Sequence, residues 1–266
     1  VLNAHLFRRV SWMIALREVV IVVGAALAYF AIRSLMETSY ARAVENGWRI
    51  VDLERWLGIF WEERMQAAII DSDWLVRLLN WIYIYGHWPF IVSVALWLLF
   101  RRPQTFFTYR NAFLISGGIG LVIFATFPVA PPRLLDLNLV DTITEHSRSY
   151  RVLQPPAFTN QYAAVPSLHF GWNLLMGIVL VRNAPRIVFK AVGVLSPILM
   201  FFATVLTANH YIVDAVFGAI VALIGLWLAV HGRERLGPPA ARAWRTLRAM
   251  PGRLPAPRAA SRSRRA

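Results

Sequence analysis

Trp81-Ile82-Tyr83-Ile84-Tyr85-Gly86-His87-Trp88-Pro89-Phe90-Ile91-Val92-Ser93-Val94-Ala95-Leu96-Trp97-Leu98-Leu99-Phe100 is a run of twenty residues without a formal charge, closed by Arg101 and Arg102. A helix of that length reaches about 30 Å, the thickness of a bilayer's hydrocarbon core. Inside lipid every backbone polar group must be satisfied within the protein, and a helix does this within a single segment. The run therefore reads as a membrane span and sets the class of fold.

Composition agrees. Of 266 residues, 58% are hydrophobic, and the mean hydropathy is +0.50, too apolar for an ordinary soluble domain. Working outward, apolar runs predict further spans at about 12–33, 111–127, 167–181, 187–208 and 211–230. The expected fold is all-α, an integral membrane six-helix bundle with an additional interfacial amphipathic helical segment. That segment is 36–73, where apolar residues recur at helical spacing beside Arg49, Asp52, Glu54 and Arg55, and where Trp48, Trp56 and Trp61 suit a membrane interface. The chain thus divides into 1–35, with the first span; 36–73, the extracytoplasmic surface segment; 74–230, the core spans two to six; and 231–266, a basic tail with little to bury.

The formal charge of +14 does not imply nucleic acid, because ten arginines lie after His231 and the basicity is local. A basic tail beside a span reads as a cytoplasmic flank able to touch anionic lipid. No residue is cysteine, which excludes disulfides, a thiolate nucleophile and Cys-type zinc sites. The first apolar run lacks a small-residue cleavage site and reads as a retained span. Connections 101–110 and 182–190 carry only basic charges, whereas 36–73 and 129–165 are mixed. The positive-inside rule then predicts a cell-membrane protein with both termini cytoplasmic and 129–165 outside.

Two polar clusters fall at that outer face. Pro166-Ser167-Leu168-His169 opens the fourth span, and Asn209-His210-Tyr211-Ile212-Val213-Asp214 joins the fifth to the sixth. A helix starting at Pro166 or Ser167 offers free N–H groups and a positive dipole end, which suit phosphate. His210 and Asp214, four apart, share a helical face. Two imidazoles, a carboxylate and an anion-binding helix start are sufficient parts for phosphoryl transfer through histidine. The histidines lack metal-ligand spacing, and no metal or other cofactor is expected.

With Phe127-Pro128-Val129-Ala130-Pro131-Pro132-Arg133 upstream, these motifs resemble the type 2 phosphatidic acid phosphatase superfamily, and within it the inositol phosphorylceramide synthase branch. The resemblance implies a six-helix bundle in which His210 is the nucleophile, Asp214 its partner and His169 the general acid, with Ser167 and nearby N–H groups holding phosphate oxygens. The sequence departs from the wider pattern in three places: Leu168 replaces a glycine, Thr204 stands in place of an arginine, and Pro-Pro-Arg lacks its usual lysine. The phosphate is left short of positive charge. The only lysine, Lys190, falls on the cytoplasmic side of the predicted topology, so Arg133 becomes the candidate phosphate ligand, with Arg148 and Arg151 as alternatives in the same loop. Asn80, Tyr83 and His87 share a helical face at the outer end of the second span; they either bind a headgroup or pack against the surface helix. Asn209 either contacts phosphate or caps a helix.

The implied enzyme is a lipid phosphotransferase. It would take a phospholipid or polyprenyl phosphate in the lipid bilayer and pass the phosphoryl group through a phosphohistidine to a polyol such as inositol; with water as acceptor it is a lipid phosphate phosphatase. A lipid-binding scaffold would not need His169, His210 and Asp214 together. Haloperoxidase chemistry on a related pocket belongs to soluble enzymes.

Overall fold

The π-helical turn at Ile82–Gly86 bends the defining apolar run. Pro89 has no N–H to return to the carbonyl four residues earlier, so the ladder widens there. The computed structural model describes residues 12–36, 39–146 and 161–236. Across these the chain is helical: α1 (Trp12–Ser34), α2 (Tyr40–Leu57), α3 (Glu62–Ala67), α4 (Asp73–Trp81), α5 (His87–Arg101), α6 (Pro103–Thr126), α7 (Thr142–His146), α8 (Leu168–Asn183), α9 (Ile187–Leu206) and α10 (Ile212–Leu236). A single β-bridge, Val129 to Ala163, is the one extended pairing among the described residues.

Among the described residues, five stretches are long and apolar enough to cross a membrane: Trp12–Arg33, Asp73–Arg101, Pro103–Thr126, Ile187–Leu206 and Ile212–Gly232. Side chains such as Val20, Val122, Val192 and Trp227 face outward on them, as lipid contact requires, and the chain is an integral membrane protein. The remaining expected span, the fourth in chain order, corresponds to α8, which has 16 residues, about 24 Å of helix, and most of its side chains are buried between its neighbours. The second span is longer than expected because α4, the π turn and α5 run on from Asp73. The third begins at Pro103, eight residues before the expected start, with proline at the first turn where its missing N–H costs nothing. That extension places Arg110 inside α6, where Glu18 of α1, fully buried, pairs with it.

Glycine lets α8 approach two helices closely. A Cβ on Gly218 of α10 would stand 2.2 Å from the Ser167 carbonyl oxygen, and one on Gly171 would stand 2.4 Å from that of Gly218. On the other face, a Cβ on Gly177 would meet the Gly193 carbonyl of α9 at 2.2 Å. Such small-residue contacts bring membrane helices together where no hydrophobic drive separates protein from lipid. They also bring the start of α8 beside the start of α10.

The segment 36–73 does form a helix pair, α2 and α3. α2 ends in a left-handed turn at Gly58, φ 71°, the conformation glycine adopts without a Cβ penalty. Its inward face, with Ala43, Ile50 and Val51, packs on Val129, Ala130, Val165, Tyr211 and Val213. Trp56 and Trp61 are exposed. The periodicity had put Glu54 on the polar side, but the structure buries it completely; a hydrogen bond to the start of α10 outweighs the helix's own pattern. The described residues before Val230 form one compact unit, and of the second unit, Val230–Ala266, only the end of α10 is described.

Candidate active site

The turn from α9 to α10 carries His210. α9 ends in a left-handed residue, Ala208 at φ 55°, with Ala208 N–H bonded to the Val205 carbonyl and Asn209 N–H to that of Thr204. This is the closing pattern usually given to glycine. It reverses the chain so that Asn209 and His210 face back over the bundle, and Thr204, found where an arginine was expected, serves here as carbonyl acceptor for the His210 N–H as well.

Three carboxylates hold the start of α10. Asp214 Oδ2 accepts the Tyr211 N–H at 2.9 Å, Glu62 Oε1 accepts that of Ile212 at 2.9 Å, and Glu54 Oε1 accepts that of Val213 at 2.7 Å. Negative charge is favoured at a helix N-terminus, but all three side chains are essentially without solvent contact. The second carboxyl oxygens of Glu54 and Glu62 are buried and meet no donor among the described residues, and two neighbouring buried carboxyls cannot both stay ionised. Burial first, then the neighbouring Glu62 carboxyl, pushes the Glu54 carboxyl up to about 10. Beside them the Tyr211 hydroxyl donates to the Ala130 carbonyl at 2.8 Å. α2 reaches this contact only because position 47 is glycine, where a Cβ would lie 3.0 Å from that hydroxyl.

His210 Nδ1 lies 2.8 Å from the Ala164 carbonyl oxygen and 3.2 Å from Asp214 Oδ2. Both are acceptors, so Nδ1 carries the hydrogen and Nε2 keeps its lone pair. Burial first, then the charges of Arg133 and Arg33, pull this imidazole down to about 3, against the opposing pull of the Ala164 carbonyl. His210 is therefore neutral at physiological pH.

His210 opens onto a cavity of about 310 Å³, lined also by His169, Arg133, Asn209, Tyr83, His87 and Arg33. The His169 and His210 rings stand 5.7 Å apart, centroid to centroid. Tyr83 stacks on His169 at 4.9 Å and His87 lies 4.6 Å from it. Asn173, one turn after His169, holds His87 Nδ1 at 2.7 Å. Arg133 meets Asn209 Oδ1 at 2.5 Å and Asp141 Oδ2 at 3.4 Å, and the Asn209 amide donates to Thr207. Asn209 thus orients the guanidinium.

Six of the nine residues singled out from sequence line the cavity: His169, His210, Arg133, Asn209, Tyr83 and His87. Asp214 stands behind His210. Ser167 caps α8, its hydroxyl accepting the Phe170 N–H at 3.4 Å, so the helix begins at Leu168 and the cavity is lined by Pro166 and Leu168 on either side of the serine. Asn80 is not brought to the cavity; Thr142 takes both ends of its amide. Arg148 and Arg151 lie outside the described residues. Sequence reasoning missed Arg33, Glu54 and Glu62. Arg33 had one signal: an arginine at the end of the first span that the sequence reading puts outside, where positive charge is disfavoured. Glu54 and Glu62 had none, since their partners are backbone N–H groups about 150 residues away.

The family model of the PAP2 superfamily matches residues 48–228. Among curated proteins, the catalytic subunit aur1 of inositol phosphorylceramide synthase from Schizosaccharomyces pombe is 27% identical over 168 residues, 56% of this chain and 39% of that protein. Inositol phosphorylceramide synthase of Candida albicans is 27% identical over 167 residues, 56% of this chain and 35% of its own length. The match thus spans less than two fifths of either relative. No solved structure matches at a significant level.

Proposed function

Because the chain belongs to the PAP2 superfamily, we propose that it is an integral membrane enzyme that moves a phosphoryl-containing group from a lipid through a phosphohistidine. The observation that carries this is the pairing of a neutral His210, its Nδ1 held by Ala164 and Asp214, with a second imidazole 5.7 Å away across one cavity.

His210 Nε2 attacks phosphorus and the P–O bond to the lipid breaks as the P–N bond forms. Asp214 balances the charge that appears on the ring. His169 gives its proton to the departing oxygen, help typically worth about 10²–10⁴-fold. Arg133 and Arg33, both lining the cavity, stabilise the non-bridging oxygens, usually the larger effect in phosphoryl transfer. In the second half His169 takes the proton of an incoming hydroxyl, whose oxygen displaces His210. A polyol such as inositol makes the enzyme a phosphotransferase, the reading favoured by the names of its relatives. Water makes it a lipid phosphate phosphatase.

The proposal extends to topology. α8 acts as a sixth, short span, both termini are cytoplasmic and the cavity faces outward, with α2 and α3 at the outer interface. The deciding experiment incubates purified protein with labelled phosphatidic acid, polyprenyl phosphate and phosphatidylinositol, with and without added inositol. Acid-labile label on the protein that His210→Ala removes supports the phosphohistidine. Free phosphate identifies hydrolysis, and a new headgroup ester or lipid identifies transfer. No label and no product across the panel overturns the proposal.

A further inference from the structure

Beside the candidate active site lies a second cavity of about 480 Å³, bounded by α1, α5, α6 and α8. Glu18 and Arg110 are its only charged lining residues, and they form an ion pair. Tyr29, Phe30, Trp88 and Trp172 line both cavities, so one begins where the other ends. From Phe30 down to Glu18 the groove follows α1 for twelve residues, about 18 Å of helix. That is the length of an extended fatty-acyl chain of ordinary size.

We propose that this groove holds one hydrocarbon chain of the lipid substrate while its phosphate lies against His210; the inference rests on the function proposed above and names where that substrate's tail goes. Continuity decides the occupant. A lipid phosphate ester carries its chain within a few bonds of the phosphorus, and the groove is the apolar space that opens from the phosphate cavity. Water has almost no partners there. The groove ends at a buried ion pair, which limits the chain's depth.

A chain entering the groove passes from one apolar phase to another, so little hydrophobic energy is gained. The groove acts on register instead: it fixes the ester against His210, and misplacing a reacting group by about 1 Å can cost about 10²-fold. Its signature is in kcat for long-chain substrates.

Gly118 on α6 lines the groove, and a Cβ there meets nothing within 4 Å. Gly118→Leu sends a side chain into the groove from a Cβ position that is open, and leucine favours the helix. Gly24 on α1 also has open space but lies outside the groove, so Gly24→Leu is the control. With dipalmitoyl phosphatidic acid and para-nitrophenyl phosphate as substrates, Gly118→Leu is expected to lower kcat at least about tenfold for the first and leave the second within twofold, while Gly24→Leu changes neither. Equal effects on both substrates, or none on either, overturn the groove.

A second arm does not depend on turnover. A phosphatidic acid analogue with a photoreactive group at the end of one chain is expected to label peptides of α1 and α6 near Glu18 and Arg110. Labelling spread evenly onto the outward face of α9, at Val192 and Leu195, overturns the groove even if the enzyme is active. If wild-type protein processes no substrate yet labels α1 and α6, the proposed function fails and the chain site stands.

Discussion

Glu54→Gln separates a held proton from an ordinary buried hydrogen bond. In the native protein the Glu54 carboxyl is raised to about 10 by burial and by Glu62, while in the unfolded chain it titrates near 4.5. Between those values the folded state binds a proton that the unfolded state has released. Stability is therefore full below the unfolded value and falls as pH rises toward the folded one, by about 1.36 kcal/mol per pH unit. His210 works in the opposite sense, since its folded value is depressed to about 3; its effect on the slope ends above the ordinary histidine range. Tyr211 is raised from 10 and titrates higher still. Across pH 7 to 9 the Glu54 proton alone is expected to cost about 2.7 kcal/mol, or about 5–10 °C in Tm for a chain of this size, read as the difference between the wild type and Glu54→Gln. Glutamine keeps the acceptor for the Val213 N–H and donates to Glu62 as the protonated acid does, so Glu54→Gln removes this part of the slope. Thermal unfolding in detergent, followed by tryptophan fluorescence at several pH values, measures both. A variant as steep as the wild type refutes the held proton.

Four further outcomes are expected. His169→Ala slows phosphoenzyme formation by about 10²–10⁴-fold for poor leaving groups and far less for good ones, checked by rapid quench with paired esters; equal losses would remove its acid role. Arg33→Gln lowers kcat/KM by about 10²-fold or more if its guanidinium meets phosphate in the transition state, and a change in KM alone would point to uniform binding instead. Gly218→Ala forces a Cβ to within 2.2 Å of the Ser167 carbonyl, costing roughly 1–3 kcal/mol and displacing His169 two residues later, so Tm and turnover fall together in the same detergent assay. Because the chain has no native thiol, single cysteines introduced at Asn138 or Asp136 are expected to react with an impermeant reagent added outside intact cells, and one in the basic tail to be spared; the reverse pattern inverts the topology.

Membrane helices and the residue types of the site were legible from sequence because they depend on local facts. A run of twenty uncharged residues needs no partner to declare itself a span, and Pro166-Ser167-Leu168-His169 and His210 to Asp214 keep their spacing wherever they sit. The ends of the spans were less legible: Arg110 reads as a boundary until Glu18, 92 residues away, pairs with it inside the bundle. Three-dimensional packing alone decided that Arg33 lines the same cavity as Arg133, that Asn80 serves Thr142, and that Glu54 and Glu62 grip the helix carrying Asp214. Each of these turns on a desolvated polar group meeting a partner distant in sequence, and periodicity reports which face of a helix is apolar but not what a buried charge will find there. What the sequence by itself determined was a helical membrane chain with two histidine motifs at the ends of its apolar runs; the crossing at Gly171 and Gly218 decided that the two imidazoles share one cavity, because only where a Cβ is missing do α8 and α10 come close enough.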